Sequence, residues 1–380
     1  MRMTVLTAAP ALALLIVGCG IDRNPTAPDD PGVGLPEPAT LPEPDGDGAS
    51  HAGDAITGDR LWADGYVLAD KPTSTSYTPL ASASLYWAGG PIRITRPDGT
   101  TGRYVVTFTG LSSALGAKNT VRATGYGGGN AYCKTVMGYL VSDKVEVRCY
   151  QAGSGTPVNT RFTLLVSREA ADRAFGFGNQ PTAAEYTAGG TGSWSPAGPI
   201  RISRVGTGRY RLVFASLGSW TNRGQAQATA VGPGKVYCAL GEFWGGEPAP
   251  SDLTLDVACF MPGGSSVDSK FNVTFVTPAK HLAYTFGSAP GTPSYSPDPR
   301  YSTNPSGSPI VISRTGLGSY TIAWIGVDAA IIGSGNVQVS AVGTSNQCKV
   351  ASQAAETVQV QCFNPAGTAT ESYFSVLLGS

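Results

Sequence analysis

Histidine and charged residues are scarce in this sequence of 380 residues. It contains only two histidines, His51 and His281, and 14 % of its residues are charged, against about 25 % in an average globular protein. Histidine is the most frequent general base and a common zinc ligand. The scarcity disfavours catalysis and metal binding, so we expect a protein that is not an enzyme and that holds no metal or other cofactor.

The sequence also has no surplus of charge of either sign. Lys and Arg together number 26, as do Asp and Glu. A nucleic-acid-binding protein needs a basic surplus to neutralise phosphates, so this class is not expected. What is abundant is glycine, with 50 residues, and proline, with 28. Both interrupt helices, while the 41 % of hydrophobic residues suffices for real cores.

The first nineteen residues have the layout of an export signal. Arg2 precedes an apolar run from Val5 to Val17, which is shorter than the roughly 20 residues that a transmembrane helix needs but suits a signal-peptide core. The run ends in Ile16-Val17-Gly18-Cys19, which resembles the bacterial lipobox. The resemblance implies a signal peptide at 1–18 and a lipid on Cys19; the alternative is an ordinary secretory signal that contains a cysteine.

Residues 19–58 predict a disordered tether. Seven prolines lie between Pro25 and Pro44, acidic residues far outnumber Arg23, and no aromatic residue is present. Such a segment cannot bury enough apolar surface to order itself, and proline with like charges favours an extended chain. Together with the lipid, this predicts a membrane-anchored protein of the cell envelope, at the outer membrane or cell surface if the host is Gram-negative.

The remainder of the chain contains three copies of one unit. Each copy opens with a Pro five residues before a Tyr, at Pro72, Pro181 and Pro290, and continues with Pro-Ile-x-Ile-[Ser/Thr]-Arg and several alternating strands. Alternation with a period of two is typical of antiparallel strands with one buried face. We expect an all-β chain with three tandem antiparallel β-sandwich modules, Ig-like or jelly-roll, at 59–171, 172–280 and 281–380, each an independent bead with its own core.

The repeat is also similar to one found in uncharacterised secreted proteins of actinobacteria and myxobacteria. The shared features are Arg-x-Gly-x-Gly-x-Tyr, here Arg314 to Tyr320, then Gly-Asn-Val-Gln-Val, here Gly335 to Val339, and the paired cysteines that follow. The resemblance covers residues 62–380 and implies neither an activity nor a ligand.

Six cysteines remain after Cys19, two in each copy. Paired cysteines of exported proteins usually form disulfides, whereas two cysteines per copy without a nearby histidine cannot complete a zinc site. The sequence therefore predicts one structural disulfide within each copy. The predicted pairs are Cys133 with Cys149, Cys238 with Cys259, and Cys348 with Cys362.

The candidate binding residues are aromatic side chains that do not recur between copies. They are Trp87, Trp220, Phe243 and Trp244. The Arg that recurs as Arg96, Arg204 and Arg314 could hold a sugar or a carboxylate, but its place beside a Gly turn favours a structural role. We expect a lipid-anchored protein that binds or adheres to glycan, cell wall or protein; the alternatives are a spacer without a ligand and, less favoured, a hydrolase.

Overall fold

A computed structural model of the chain describes residues 64–80, 84–86, 90–241, 251–327, 335–354 and 356–379. They belong to one compact unit, Ala52–Ser380. The fold is almost entirely β, which confirms the predicted class. Among the described residues the α-helical content is a single turn, α1, at Leu111–Ala114. The predicted signal peptide, the whole of the predicted tether, Cys19, Trp87, Phe243 and Trp244 lie outside the described residues.

Twenty-five strands follow one another in the described residues. Those of repeat 1 are β1 (Gly65–Ala69), β2 (Ser76–Tyr77), β3 (Ser84–Tyr86), β4 (Ile92–Thr95), β5 (Arg103–Phe108), β6 (Asn119–Tyr126), β7 (Ala131–Thr135), β8 (Lys144–Gln151) and β9 (Arg161–Arg168). Those of repeat 2 are β10 (Arg173–Gly178), β11 (Glu185–Ala188), β12 (Ile200–Gly206), β13 (Arg209–Phe214), β14 (Gln225–Val231), β15 (Tyr237–Leu240), β16 (Leu253–Phe260) and β17 (Lys270–Val276). Those of repeat 3 are β18 (Leu282–Gly287), β19 (Ser294–Tyr295), β20 (Ile310–Gly316), β21 (Ser319–Trp324), β22 (Asn336–Val342), β23 (Gln347–Ala354), β24 (Thr357–Phe363) and β25 (Tyr373–Gly379).

Each repeat folds as a sandwich of two β-layers. In repeat 2 one layer has the strand order β11-β12-β13-β16-β15 and the other β10-β17-β14. Strand β13 shows how the sequence produces this arrangement, because Tyr210, Leu212 and Phe214 are buried while the intervening residues lie toward solvent. The apolar side chains on the buried face of each layer pack against those of the opposite layer, which gives each repeat its own hydrophobic core.

The aromatic residues that recur in all three copies form the centre of these cores. Tyr104 packs on Phe162, Tyr210 on Phe271 and Tyr320 on Phe374, with ring centroids 5.1, 4.8 and 4.8 Å apart. All six side chains are almost fully buried. Tilted aromatic pairs at this spacing stabilise a core beyond their buried area, so these positions serve the fold.

The three predicted disulfides are present. They join Cys133 to Cys149, Cys238 to Cys259, and Cys348 to Cys362. Each pair occupies directly opposed positions on neighbouring antiparallel strands, as in the register of Cys238 with Cys259. The second cysteine of every pair is completely buried. Each disulfide therefore fastens the last hairpin of a five-stranded layer to its own core.

The repeats are not independent beads, because every sheet continues from one repeat into another. The first sheet runs β19-β20-β21-β24-β23 in repeat 3 and then β6-β9-β1-β3 in repeat 1. The second joins β10-β17-β14 of repeat 2 to β7-β8-β5-β4-β2 of repeat 1. The third joins the five-stranded layer of repeat 2 to β22-β25-β18 of repeat 3. Since repeat 3 contacts repeat 1 in the same way as the others contact each other, the three sandwiches close into a ring.

Three equivalent junctions hold the ring together. At each one a single parallel bridge links two repeats, through Thr135 and Val231, Leu240 and Val342, and Val350 and Tyr126. The Tyr132 hydroxyl donates to the Lys235 carbonyl, and the Tyr237 hydroxyl donates to the Ser345 carbonyl at 2.7 Å. At the third junction the Lys349 ammonium donates to the Gly128 carbonyl at 3.0 Å. These contacts pair sheet edges that an isolated repeat would leave open.

Candidate functional site

The recurrent arginine connects separate parts of each repeat. In repeat 2, Arg204 forms a bidentate ion pair with Asp268, with both N–O distances at 3.0 Å. Asp268 also accepts the Gly208 amide at 2.8 Å and the Tyr210 hydroxyl at 3.2 Å. The hydrogen bond from Arg204 lowers the pKa of Asp268 below its usual value. The group locks the β12–β13 turn onto the loop before β17.

The other repeats make the same connection with different partners. Arg314 donates to Glu371 at 2.6 Å, and the Tyr320 hydroxyl also donates to that carboxylate. In repeat 1 an amide, Asn159, takes the place of the acid and accepts the Gly102 amide at 2.9 Å. Arg96 there donates to the carbonyls of Thr73 and Gly99 instead. The sequence did contain a signal for Asn159, Asp268 and Glu371. Each of them lies three residues before the Phe at the start of the last core strand of its repeat.

Within the described structure, His281 lacks the neighbouring groups that a catalytic histidine needs. His281 is half-buried, and its Nε2 has no hydrogen-bond partner among the described residues. No group of three or more His, Cys, Asp or Glu in the described part of the chain could hold a metal ion. A general base needs a hydrogen-bonded orienting partner and a nucleophile within reach, and the structure shows neither at Nε2.

Of the four aromatic candidates, the structure describes Trp220 alone. Trp220 is half-buried, and its ring is stacked on Phe275 with centroids 5.9 Å apart. It lies at the edge of the core of repeat 2. The short 3-10 turn Gly218–Trp220 places it there. One face of the indole is thus occupied by the protein's own core.

A groove of about 580 Å³ lies on the outer face of the five-stranded layer of repeat 2. Its floor is formed by β13 and β16, and one wall by the β22–β23 hairpin of repeat 3, at 343–345. Val205, at the tip of the β12–β13 hairpin, lines it with 56 % of its surface exposed. The site therefore combines two repeats, which their individual sequences could not indicate.

One residue of the groove floor, Ala258, has a much smaller side chain than its counterparts in the other repeats. Ala258 faces Arg209 across β13 and β16. The position that corresponds to Ala258 carries Arg148 in repeat 1, opposite Arg103, and Gln361 in repeat 3, opposite Ser319. Long side chains at those two positions occupy surface that the methyl group of Ala258 leaves free. The groove is thus a feature of the sequence of repeat 2 and not of the fold alone.

Polar groups in the groove are held in a fixed geometry. Arg211 and Asp256 form a bidentate ion pair across the two strands, with both N–O distances at 2.9 Å. Their side chains remain 52 % and 29 % exposed, so a ligand can reach them. Among the lining residues that the structure describes, Arg209 and Arg211 are cationic and Asp256 is a carboxylate. This described part of the groove therefore presents hydrogen-bond donors and acceptors with a positive balance of charge.

Comparisons with known proteins give no further indication. No family model, no curated protein and no solved structure matches the chain. Within the described residues, no helix has the length and apolar character needed to cross a membrane.

Proposed function

We propose that the chain is a lipid-anchored protein of the cell envelope whose folded part binds glycan in the groove of repeat 2. The observation on which this rests is the groove itself, with its bidentate Arg211–Asp256 pair and its volume of about 580 Å³. Ligand sites are usually concave surfaces of several hundred Å³ with a few well-placed polar groups. The disulfides support an extracytoplasmic location, because such bonds persist mainly in oxidising compartments.

The chemistry of the groove favours an acidic glycan. The planar guanidinium of Arg211 and the carboxylate of Asp256 offer donors and acceptors that match neighbouring sugar hydroxyls. Arg209 adds a second cation, which would pair with a carboxylate on the ligand. The exposed apolar surface of Val205 provides a contact for the C–H face of a sugar ring. Peptidoglycan and uronate-containing polysaccharides combine these groups.

The ring argues against the spacer alternative. A spacer gains length when repeats follow one another end to end. Here β23 of repeat 3 pairs with β6 of repeat 1, so the third repeat closes the ring and adds no reach. A closed ring joined to the tether predicted at 19–58 is instead suited to presenting a binding surface away from the membrane.

We expect the variant Arg209→Ala/Arg211→Ala to lose most of its retention on acidic glycans. Charge-assisted hydrogen bonds contribute about 1.5–3 kcal/mol each, so binding should weaken at least about tenfold. The measurement is co-sedimentation of the oxidised protein with insoluble peptidoglycan and with a uronate polysaccharide gel, and cellulose serves as a neutral matrix.

The matched control is Arg103→Ala/Arg148→Ala, which removes two arginines from the corresponding face of repeat 1. In the structure the Nε atoms of these two arginines lie 3.1 and 2.6 Å from Oε1 of Glu146. The control variant should be retained like the unaltered protein. Equal losses in both variants would mean that retention follows overall charge, and undiminished retention of the groove variant would refute the assigned site.

Lipidation is tested separately at Cys19. In a bacterial host, the unaltered chain should incorporate labelled fatty acid and sediment with the membrane fraction, whereas Cys19→Ser should show neither property because serine lacks the thiol that takes the lipid. Several acyl chains, at about 0.8 kcal/mol per buried methylene, make the anchor durable. Label in the Cys19→Ser variant, or none in the unaltered chain, would contradict the anchor while leaving the groove untouched.

A further inference from the structure

The axis of the ring is lined by polar side chains from all three repeats. Strands β6, β14 and β22 are buried along both faces, with every residue covered. Their apolar residues, such as Val121 and Ala226, enter the cores of their own repeats. The intervening residues meet one another instead, as the Thr124 hydroxyl does when it donates to the Gln338 side chain at 2.8 Å.

Two of the three equivalent positions on the axis are occupied by glutamines with protein partners. Gln227 Oε1 accepts from the Ser340 hydroxyl at 2.8 Å, and its Nε2 donates to Ser375 at 2.6 Å. Gln338 Nε2 donates to the Asn336 side chain at 2.6 Å. These neutral amides satisfy their hydrogen-bonding groups inside the protein, as buried polar groups usually do.

The third position is Arg122, and it has no such partners. Only 2 % of the residue is exposed, and none of its three guanidinium nitrogens has a hydrogen-bond partner among the described residues. Burial, with repulsion from Arg173 as a second cause, lowers the pKa of Arg122 to about 9, so it remains charged at neutral pH. An unpaired buried charge is strongly destabilising, which makes a counter-ion favourable.

Arg122 is among the residues that line a cavity of about 50 Å³, together with residues of β6, β14 and β22. Lys134 lines it as well, and its amino group donates to the Val236 carbonyl at 2.9 Å. Burial lowers the pKa of Lys134 to about 7, so this side chain is only partly charged at neutral pH. No Asp or Glu is among the lining residues that the structure describes. Thr229 also lines this space, and its hydroxyl makes only a long 3.5 Å bond to the Ala230 carbonyl. The cavity is therefore polar, cationic and small.

We propose that this cavity binds a small monovalent anion of halide size, with the Arg122 guanidinium as its main ligand. The cavity has room for such an ion, since a single water molecule needs only roughly 10–15 Å³. The charge of Arg122 selects an anion, and the Thr229 hydroxyl can donate a further hydrogen bond. Because the cavity is surrounded by β6, β14 and β22, the anion links the three repeats at the centre of the ring.

The test is the thermal stability of the purified full chain in sodium chloride and in sodium gluconate of equal ionic strength. A ligand that binds the folded state raises the melting temperature as its concentration grows. Chloride, but not the much larger gluconate, should therefore stabilise the protein in a saturable way. Arg122→Gln introduces the residue that repeats 2 and 3 carry at this position. It should raise the chloride concentration that gives half of the stabilisation about tenfold or more, because a charge-assisted hydrogen bond is lost.

The control is Arg103→Gln on the outer face, which should keep the full chloride dependence. Equal stability in chloride and gluconate, or the same chloride dependence in Arg122→Gln as in the unaltered chain, would overturn the proposal. Should Arg122→Gln fail to fold, crystals of the unaltered protein soaked in bromide answer the question. An anomalous peak at the Arg122 guanidinium supports the site, whereas bromide peaks that occur only at other positions refute it.

Discussion

Repeat 2 expressed alone, as residues 172–280, should melt far below the whole chain and should self-associate. In the ring its strands β14 and β15 pair with β7 and β22 of the neighbouring repeats. The isolated repeat leaves both edges open, and open edges bind other chains. Because all three junctions are equivalent, the fragment's own two edges are complementary. We therefore expect trimers among its associated species.

Lost apolar contacts make the expected destabilisation large. Tyr237 and Phe260 of repeat 2 are buried in a cluster with Tyr132 and Tyr150 of repeat 1, and Val276 is buried against strands of repeats 1 and 3. Each large apolar side chain contributes about 1.5–3 kcal/mol when fully buried. Losing several of these contacts approaches the 5–15 kcal/mol that stabilises a typical domain.

The measurement is thermal unfolding by circular dichroism together with sedimentation velocity, on oxidised protein. The two-repeat fragment 59–280 is the graded control, since it restores one junction of the three and should lie between the single repeat and the whole chain. A monomeric repeat 2 that melts with the whole chain would show that the sandwiches are independent, as the sequence alone suggests.

The sandwich and the disulfides could be predicted because their causes are local. Alternating residues such as Tyr210, Leu212 and Phe214 indicate a strand with one buried face. Two cysteines in each copy of an exported chain indicate their own pairing. The first inference needs only the alternation of apolar residues along one strand. The second needs only an even number of cysteines within one repeat.

The ring could not be predicted by the same argument. Along β14 the alternation of Ala226 with Gln227 and Ala228 is typical of a strand with a solvated polar face. In the structure that polar face is buried against the other repeats. A polar side chain facing water and one facing a polar axis give the same pattern in the sequence.

The groove was missed for a related reason. Its floor includes a residue that is unremarkable in the sequence, Ala258, and its wall comes from a hairpin of the next repeat. The predicted binding residues are non-recurring aromatics, and the one of these four candidates that the structure describes, Trp220, packs on Phe275. Comparing the copies position by position would have pointed to Ala258, because Arg148 and Gln361 stand at the equivalent places.

Removing any one disulfide should destabilise the protein by about 3 kcal/mol. The cysteines are 16, 21 and 14 residues apart, and the chain-entropy model gives roughly 3 kcal/mol for a loop of about 15 residues. The change is made as a double Cys→Ala substitution, because a serine at a fully buried position such as Cys259 would leave a hydroxyl in the core. Chemical denaturation of the three double variants measures the effect.

The shape of the unfolding transition then distinguishes a ring from beads. In a ring, a repeat that unfolds also removes the junction contacts that stabilise its neighbours. The Cys238→Ala/Cys259→Ala variant should therefore unfold in a single transition of the whole chain, with its midpoint at a lower denaturant concentration. Independent beads would give a separate early transition for repeat 2, with two thirds of the signal unchanged. The control is the Cys348→Ala/Cys362→Ala variant, whose shorter loop should produce nearly the same shift, because closure entropy changes only slowly with loop length. A split transition in both variants would contradict the coupling between repeats, whereas a single shifted transition in both would place the junctions among the contacts that stabilise the fold.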